Sequence, residues 1–343
     1  MTRKRGFTLV AIIISLSLCA GSLFSQGLPN PGPKAKYFFY FSQRGMNHPW
    51  NVVMQKSFSE VMEKYKDRVA KYVTTNGEND AAKQLSDIET VLKMKPDLMI
   101  LTAQSYEVES PVAKMCRDAG VALLVIDRRI NAVPGKDYFA YIGSDIREAA
   151  RSAARVVVGK LQSKYGKYKG NIVEITGTAG SSIQIDRSAG FRDVISQYPD
   201  IKIIASQDGD FMKDNAMRIM ENYLQRFPKG QIDVAYGQND EIALGVLAAV
   251  QEAGRKELLG WIASIDGQRN ALKEIIDGNL MCSPQTPAGY GEISMVTALN
   301  YLDGKPVKAE VTIPFMDFNN TSPAMLKATK EHYKYQMEND VMY

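Results

Sequence analysis

The stretch 98–129, LMILTAQSYEVESPVAKMCRDAGVALLVIDRR, decides the fold. Two apolar runs, 98–101 and 121–126, flank a helical stretch over 112–119. Runs of four to six apolar residues are too short for helices and too uniform for half-exposed strands. They suit parallel strands buried on both faces. The second run ends on Asp127 and Arg128, so charge appears where a buried strand reaches its tip. In open parallel sheets, ligands sit at the carboxyl ends of strands.

The same rhythm extends both ways. Upstream, 36–41 and 69–74 read as strands, and 49–65 and 80–94 as helices. It restarts after Ser144, with helices at 147–161, 183–196, 213–227, 241–253 and 269–277. Strands at 171–175, 201–205, 233–236 and 261–265 alternate with them. Two such series, split near 141–145, predict two doubly wound α/β lobes. A length of 343 residues fits two domains of about 150 residues each. Gly289-Tyr290-Gly291 opens a late helix, and Ser322-Pro323 starts an amphipathic tail helix expected to pack on a lobe.

Composition narrows the class. At 45% hydrophobic and 23% charged, the chain is neither disordered, collagen-like nor multispanning. Its net charge of +4 falls to +1 without Arg3, Lys4 and Arg5, which argues against a nucleic-acid partner. Those three residues precede an apolar run over 7–18 and then small residues, the pattern of an export signal over 1–25. Cys19 stands where a lipoprotein cysteine would, but Leu18 before it is not small, and cleavage between Gly21 and Gln26 is the competing route. Cys116 and Cys282 read as two buried thiols rather than a bridge.

The strand-end rule selects Ser42, Gln43, Thr102, Asp127, Arg128, residues 176–182, Asn239, Asp240 and Asp266. Hydroxyls, amides, carboxylates and guanidiniums together match a neutral polyhydroxylated molecule, whose hydroxyls both donate and accept. The sequence has no G-x-S-x-G elbow, no phosphate loop and no G-x-G-x-x-G after the first strand. With two histidines, His48 and His332, it has little material for a zinc site or triad. No enzyme activity, cofactor or metal is expected.

The string FSQ (41–43) with Trp50, VIDRR (125–129), YIGSD (141–145), GTAGSSIQIDRSAGF (177–191), SQDGDF (206–211), YGQNDEIALG (236–245), SIDG (264–267) and Gln285 carries a resemblance. In this order and spacing the chain resembles periplasmic sugar-binding proteins of the ribose-binding type, closest to the galactofuranose-binding branch. The resemblance implies a type I periplasmic binding protein fold, two lobes joined by three crossings near Ser144-Asp145, Gln285-Thr286 and Pro314. The first lobe would then hold 37–144 plus 286–313, and the second 145–285 plus 314–343. It further implies a monomer in the periplasm that binds a monosaccharide or small sugar for an ABC permease in the inner membrane, and a chemoreceptor as a further partner.

By the same resemblance, Trp50 and Phe211 would sandwich the sugar ring, and Asp127, Arg128, Arg187, Asn239 and Asp266 would take its hydroxyls. Ser42, Asn51, Thr102, Ser144 and Gln285 complete the expected ligand set. Asn51 departs from the galactofuranose branch, which carries an arginine there, and His48 before Pro49 is unusual. Competing readings are a receptor for a polyol-like quorum signal and a sugar-processing enzyme. A ligand-sensing repressor would need a basic helix-turn-helix where the export signal lies.

Overall fold

A computed structural model of the chain describes residues 27–343. The export signal and Cys19 lie outside the described residues. Two separate parallel sheets form the frame. The first contains β1 (Tyr37–Gln43), β2 (Val69–Asn76), β3 (Leu98–Leu101), β4 (Ala122–Ile126), β5 (Ala140–Ser144) and, from far down the chain, β10 (Glu310–Ile313). Its order is β10-β5-β4-β3-β1-β2. The second contains β6 (Gly170–Thr176), β7 (Ile201–Asp208), β8 (Val234–Gly237) and β9 (Ile262–Ala263), in the order β7-β6-β8-β9.

Alternation along the strands sends apolar side chains to both faces of each sheet. In β1, Phe39 and Phe41 join one core while Tyr40 joins the other. In β6, Val173 and Ile175 face one core while Ile172 faces the opposite one. Helices α1 (Pro49–Lys64), α2 (Ala81–Leu92) and α3 (Val112–Ala119) cover the first sheet, with α9 (Gly291–Leu302) returning to it. Helices α4 (Ile146–Tyr165), α5 (Ser182–Ile195), α6 (Lys213–Arg226), α7 (Asp240–Glu252) and α8 (Arg269–Ile276) cover the second. The tail helix α10 (Pro323–Glu338) is capped by Ser322, whose side chain accepts from the Met325 N–H at 3.2 Å, and packs on α8.

The two doubly wound sheets predicted from the sequence are present. Three local readings change. Residues assigned to the junction form β5, and β10 pairs beside it as an edge strand with alternating exposure. The strand predicted over 261–265 shrinks to Ile262–Ala263, because beyond it the chain bonds to an irregular segment. There the Ser264 N–H donates to the Cys282 carbonyl at 3.0 Å and the Asp266 N–H to that of Pro284 at 2.8 Å. Cys282, which falls in a strand-like stretch of the sequence, is therefore in a loop that makes isolated β-bridges to Ala263 and Asn319. Cys116 and Cys282 are both free and buried.

Three helix pairs pack so closely that only glycine fits, α9 against α1 at Gly291 among them. A Cβ at Gly190 in α5 would lie 2.2 Å from the Arg147 carbonyl oxygen, and one at Gly245 in α7 would lie 2.2 Å from that of Lys213. Backbone cannot yield as a flexible side chain can. Replacing Gly245 by Val should destabilise the protein by about 1–3 kcal/mol or more through overpacking. Urea denaturation checks this, and an unchanged midpoint would show that α6 and α7 are not in this register.

Candidate functional site

The carboxyl ends of both sheets face a single cavity with about 330 Å³ of empty space. It is lined by Arg44, His48, Trp50, Asp127 and Arg128 from the first sheet's side. Ile183, Arg187, Phe211, Asn239 and Asp266 come from the second, and Thr286 from the segment between them. Two contacts across the cleft hold the rim closed: the Tyr106 N–H donates to the Gly180 carbonyl at 3.0 Å, and the Arg129 N–H to Ser182 Oγ at 2.9 Å.

Unusual backbone aims several of these side chains. Asp127 follows β4 at φ 57°, Phe211 follows β7 at φ 58°, and Asp266 follows β9 at φ 126°. Left-handed conformations cost non-glycine residues about 1–3 kcal/mol each and gather where function fixes geometry. Gly177 makes room for this arrangement, since a Cβ there would fall 1.9 Å from the Phe211 ring. Trp50 forms the opposite wall. Its indole N–H donates to the Thr286 carbonyl at 3.1 Å, and Tyr290 meets it edge-on at 5.8 Å. The Phe211 ring carries the Arg128 and Arg187 guanidiniums on it, each 5.6 Å from its centre.

Arg187 is buried and bonds Asp266, the Thr286 hydroxyl at 3.2 Å and the Gln238 carbonyl. Thr286 also donates to Asp266. Burial raises the Asp266 carboxyl, opposed first by the Arg187 charge. Asp240, which accepts from the Ser264 and Ser283 hydroxyls, is raised by burial and then by the Asp266 charge. Burial also raises Asp127, opposed by the Arg128, Arg44 and Arg187 charges. Arg128 donates to the Gln104 carbonyl at 2.9 Å. Among the described residues no group of three or more His, Cys, Asp or Glu side chains could hold a metal ion.

His48 caps α1 by accepting the Trp50 N–H on Nδ1 at 3.1 Å. A neutral ring then carries its proton on Nε2, which faces Asn239 Nδ2 at 3.0 Å. Asn239 cannot turn, because its Oδ1 caps α7 by accepting the Ile242 N–H at 2.9 Å. Both donors meet at the Phe211 carbonyl, which accepts from Asn239 Nδ2 at 3.3 Å and from the His48 ring, so two sides of the cleft are tied through one backbone oxygen.

Seven expected residues line the cavity: Trp50, Asp127, Arg128, Arg187, Phe211, Asn239 and Asp266. Five do not. Ser42 accepts from Gln84 Nε2 at 3.1 Å and belongs to the packing beneath α2. Asn51 is buried one position round α1 from Trp50, off the cavity wall. Thr102 sits behind Asp127, 3.5 Å from its carboxylate. Ser144 lines a different crevice with Arg129, Asp186 and Glu310. Gln285 points to His332 on α10 at 3.3 Å, so alternation in an extended segment delivers Thr286 to the cavity in its place. The strand-end rule, extended by one residue beyond Gln43, would have found Arg44.

Burial, then the charges of Arg44 and Arg128, hold His48 at about 3 against an ordinary 6.5. Between these values the unfolded chain binds a proton that the folded site refuses, so stability falls as pH drops from 6.5 toward 3. Relative to His48→Asn, the wild type should lose up to about 2.7 kcal/mol between pH 6.5 and 4.5. Raised carboxyls such as Asp127 and Asp266 titrate in both proteins and cancel in the difference. Parallel stability curves in urea at the two pH values would contradict this burial.

Known proteins share both chain and fold. A model of the periplasmic binding protein domain matches residues 39–306. The ribose import binding protein RbsB of Bacillus subtilis is 28% identical over 312 residues, covering 89% of this chain and 96% of that protein. The galactofuranose-binding protein YtfQ of Escherichia coli is 28% identical over 247 residues, 71% of this chain and 75% of its own. The solved fructose-binding periplasmic domain of a hybrid two-component system superposes with a TM-score of 0.76 at 27% identity, over 89% of this chain and 98% of that one. With the matched model covering most of its length, the chain belongs to the periplasmic binding protein family.

Proposed function

We propose that the protein binds a neutral monosaccharide or small sugar in the cavity between its lobes and delivers it to the membrane permease of an ABC sugar importer. It is a binding protein, not an enzyme. One observation carries the sugar reading: Trp50 and Phe211 stand in the same cavity as Asp127, Arg128, Arg187, Asn239 and Asp266. Sugar rings have apolar C–H faces that suit aromatic walls, and hydroxyls that suit planar forks around their rim. The relatives' names, ribose import and galactofuranose binding, support the same class. A general acid/base pair is disfavoured because Asp266 is already committed to Arg187 and Thr286.

The lobes would be 37–144 plus 286–313 and 145–285 plus 314–343, closing as one monomer over the sugar. Residues 1–25 would direct export to the periplasm. The mass of the exported N-terminus distinguishes cleavage between Gly21 and Gln26 from lipid attachment at Cys19. A second reading, presentation of the closed form to a sensor or chemoreceptor, is favoured by the fold shared with the fructose-binding domain of a two-component system.

Charged hydrogen bonds are worth about 1.5–3 kcal/mol each, and a micromolar complex needs about 8 kcal/mol. Calorimetry against ribose, galactose, arabinose, fructose, xylitol and myo-inositol should give a dissociation constant in the micromolar range or below for at least one. Asp127→Ala should weaken that binding at least 100-fold while the protein still unfolds cooperatively. No heat from any of these compounds would contradict the reading, and retained affinity in the variant would misplace the site.

A further inference from the structure

Arg44 lies immediately after β1, in the cavity wall, and the residue is 8% exposed. Its loop is fixed from both sides. The Arg44 N–H donates to Gln43 Oε1 at 3.1 Å, and its carbonyl accepts the Asn79 N–H at 2.7 Å. At the next residue, Gly45, a Cβ would fall 2.0 Å from Asn79 Oδ1, so the loop lies tight against the neighbouring one. The backbone that carries Arg44 is therefore packed before any ligand arrives.

Its guanidinium is poorly matched by the protein. Nε is buried with no hydrogen-bond partner, and Nη1 reaches only Asn79 Oδ1, at 3.5 Å. The cavity's other cations have stronger partners: Arg187 has Asp266, Thr286 and Gln238, although its Nε too is unpartnered, and Arg128 has the Gln104 carbonyl. No carboxylate lies within ion-pair distance of Arg44 among the described residues. Leaving a charged donor buried without an acceptor costs more than a neutral one, because water has been removed and nothing replaces it. Asp127 stands in the same wall with the opposite need, since its carboxylate seeks donors. A ligand hydroxyl meets both needs with one oxygen, accepting from Arg44 while donating to Asp127; an ether or carbonyl oxygen cannot donate. The fork of a guanidinium presents two N–H groups side by side and so matches two neighbouring oxygens.

We propose that Arg44 is a specificity-determining residue of this site, which reads two neighbouring oxygens on the end of the sugar that faces β1. This rests on the sugar-binding reading above. It makes the site selective for the configuration at two adjacent positions, because an epimer that turns one oxygen away leaves half the fork unpaired. Arg128 and Arg187, already bonded to the protein, would orient the ring without this dependence.

The test couples residue to ligand. Calorimetry of the exported protein selects the tightest of D-ribose, D-galactose, L-arabinose and D-fructose, and the monodeoxy analogues of that sugar are then titrated into wild type and Arg44→Gln. The variant should bind the parent sugar about 10- to 100-fold more weakly. For one deoxy analogue, or two adjacent ones, wild type and variant should bind within twofold of each other, since the contact is already absent. Arg44→Lys, which keeps the charge without the fork, should stay at least tenfold weak, and it carries the comparison if the Gln variant fails to unfold cooperatively. Parent affinity within twofold of wild type overturns the proposal, as does an equal loss across every deoxy analogue, which marks a general effect on closure. If wild type gives no heat with these sugars, xylitol or myo-inositol, the sugar-binding reading fails and this inference with it.

Discussion

The ion pair between Arg187 and Asp266 is the constraint on which the site depends. Both side chains are almost wholly removed from water, at 4% and 6% exposure. Such a pair is no gift to stability: desolvating two ions costs several kcal/mol each, and breaking the pair costs about 3–5 kcal/mol by stranding one charge. Thr286 and the Gln238 carbonyl add further hydrogen bonds to it, leaving Arg187 Nε buried without a partner. Thr286 is also the residue whose carbonyl holds the Trp50 indole, so one residue of the connecting segment ties the aromatic wall of one sheet to the charges of the other. A polar cavity kept in order this way is rigid and already oriented toward hydroxyl groups.

Around that pair the protein leaves a consistent surplus of unmet donors and acceptors. Arg44 Nε lacks an acceptor, and its Nη1 has only a long bond to Asn79 Oδ1. Asp127 has only a distant threonine. Each is a small cost in the closed cavity, and each is relieved by an oxygen that can both donate and accept. This is why the same fold frame can serve ligands rich in hydroxyls without any chemistry taking place. A general acid/base pair would require two carboxylates free to exchange protons, whereas Asp266 is bonded to Arg187 and Thr286 and Asp240 to Ser264 and Ser283, which leaves Asp127 without such a partner.

Much of this was legible in the chain. Short apolar runs ending in polar residues announced buried parallel strands and the side on which the site would lie, and Asp127, Arg187, Asn239 and Asp266 do meet there. What could not be read was orientation within a residue or two. Gln285 and Thr286 differ only in which way an extended segment points. Trp50 and Asn51 differ by one step round a helix, and Ser42 and Arg44 by the point at which β1 gives way to loop. Periodicity fixes the face of a long element, but these positions lie at element ends, where tertiary packing decides. The edge strand β10 was missed for a related reason: half exposed, it lacks the apolar run of a central strand.

The most direct test of the account is diffraction from crystals grown with D-ribose, D-galactose or D-fructose. The account predicts a sugar between Trp50 and Phe211, with its hydroxyls within hydrogen-bond distance of Asp127, Arg187, Asn239 and Asp266. Electron density for the sugar in the crevice beside Ser144, or a cleft without sugar at saturating concentration, would contradict it.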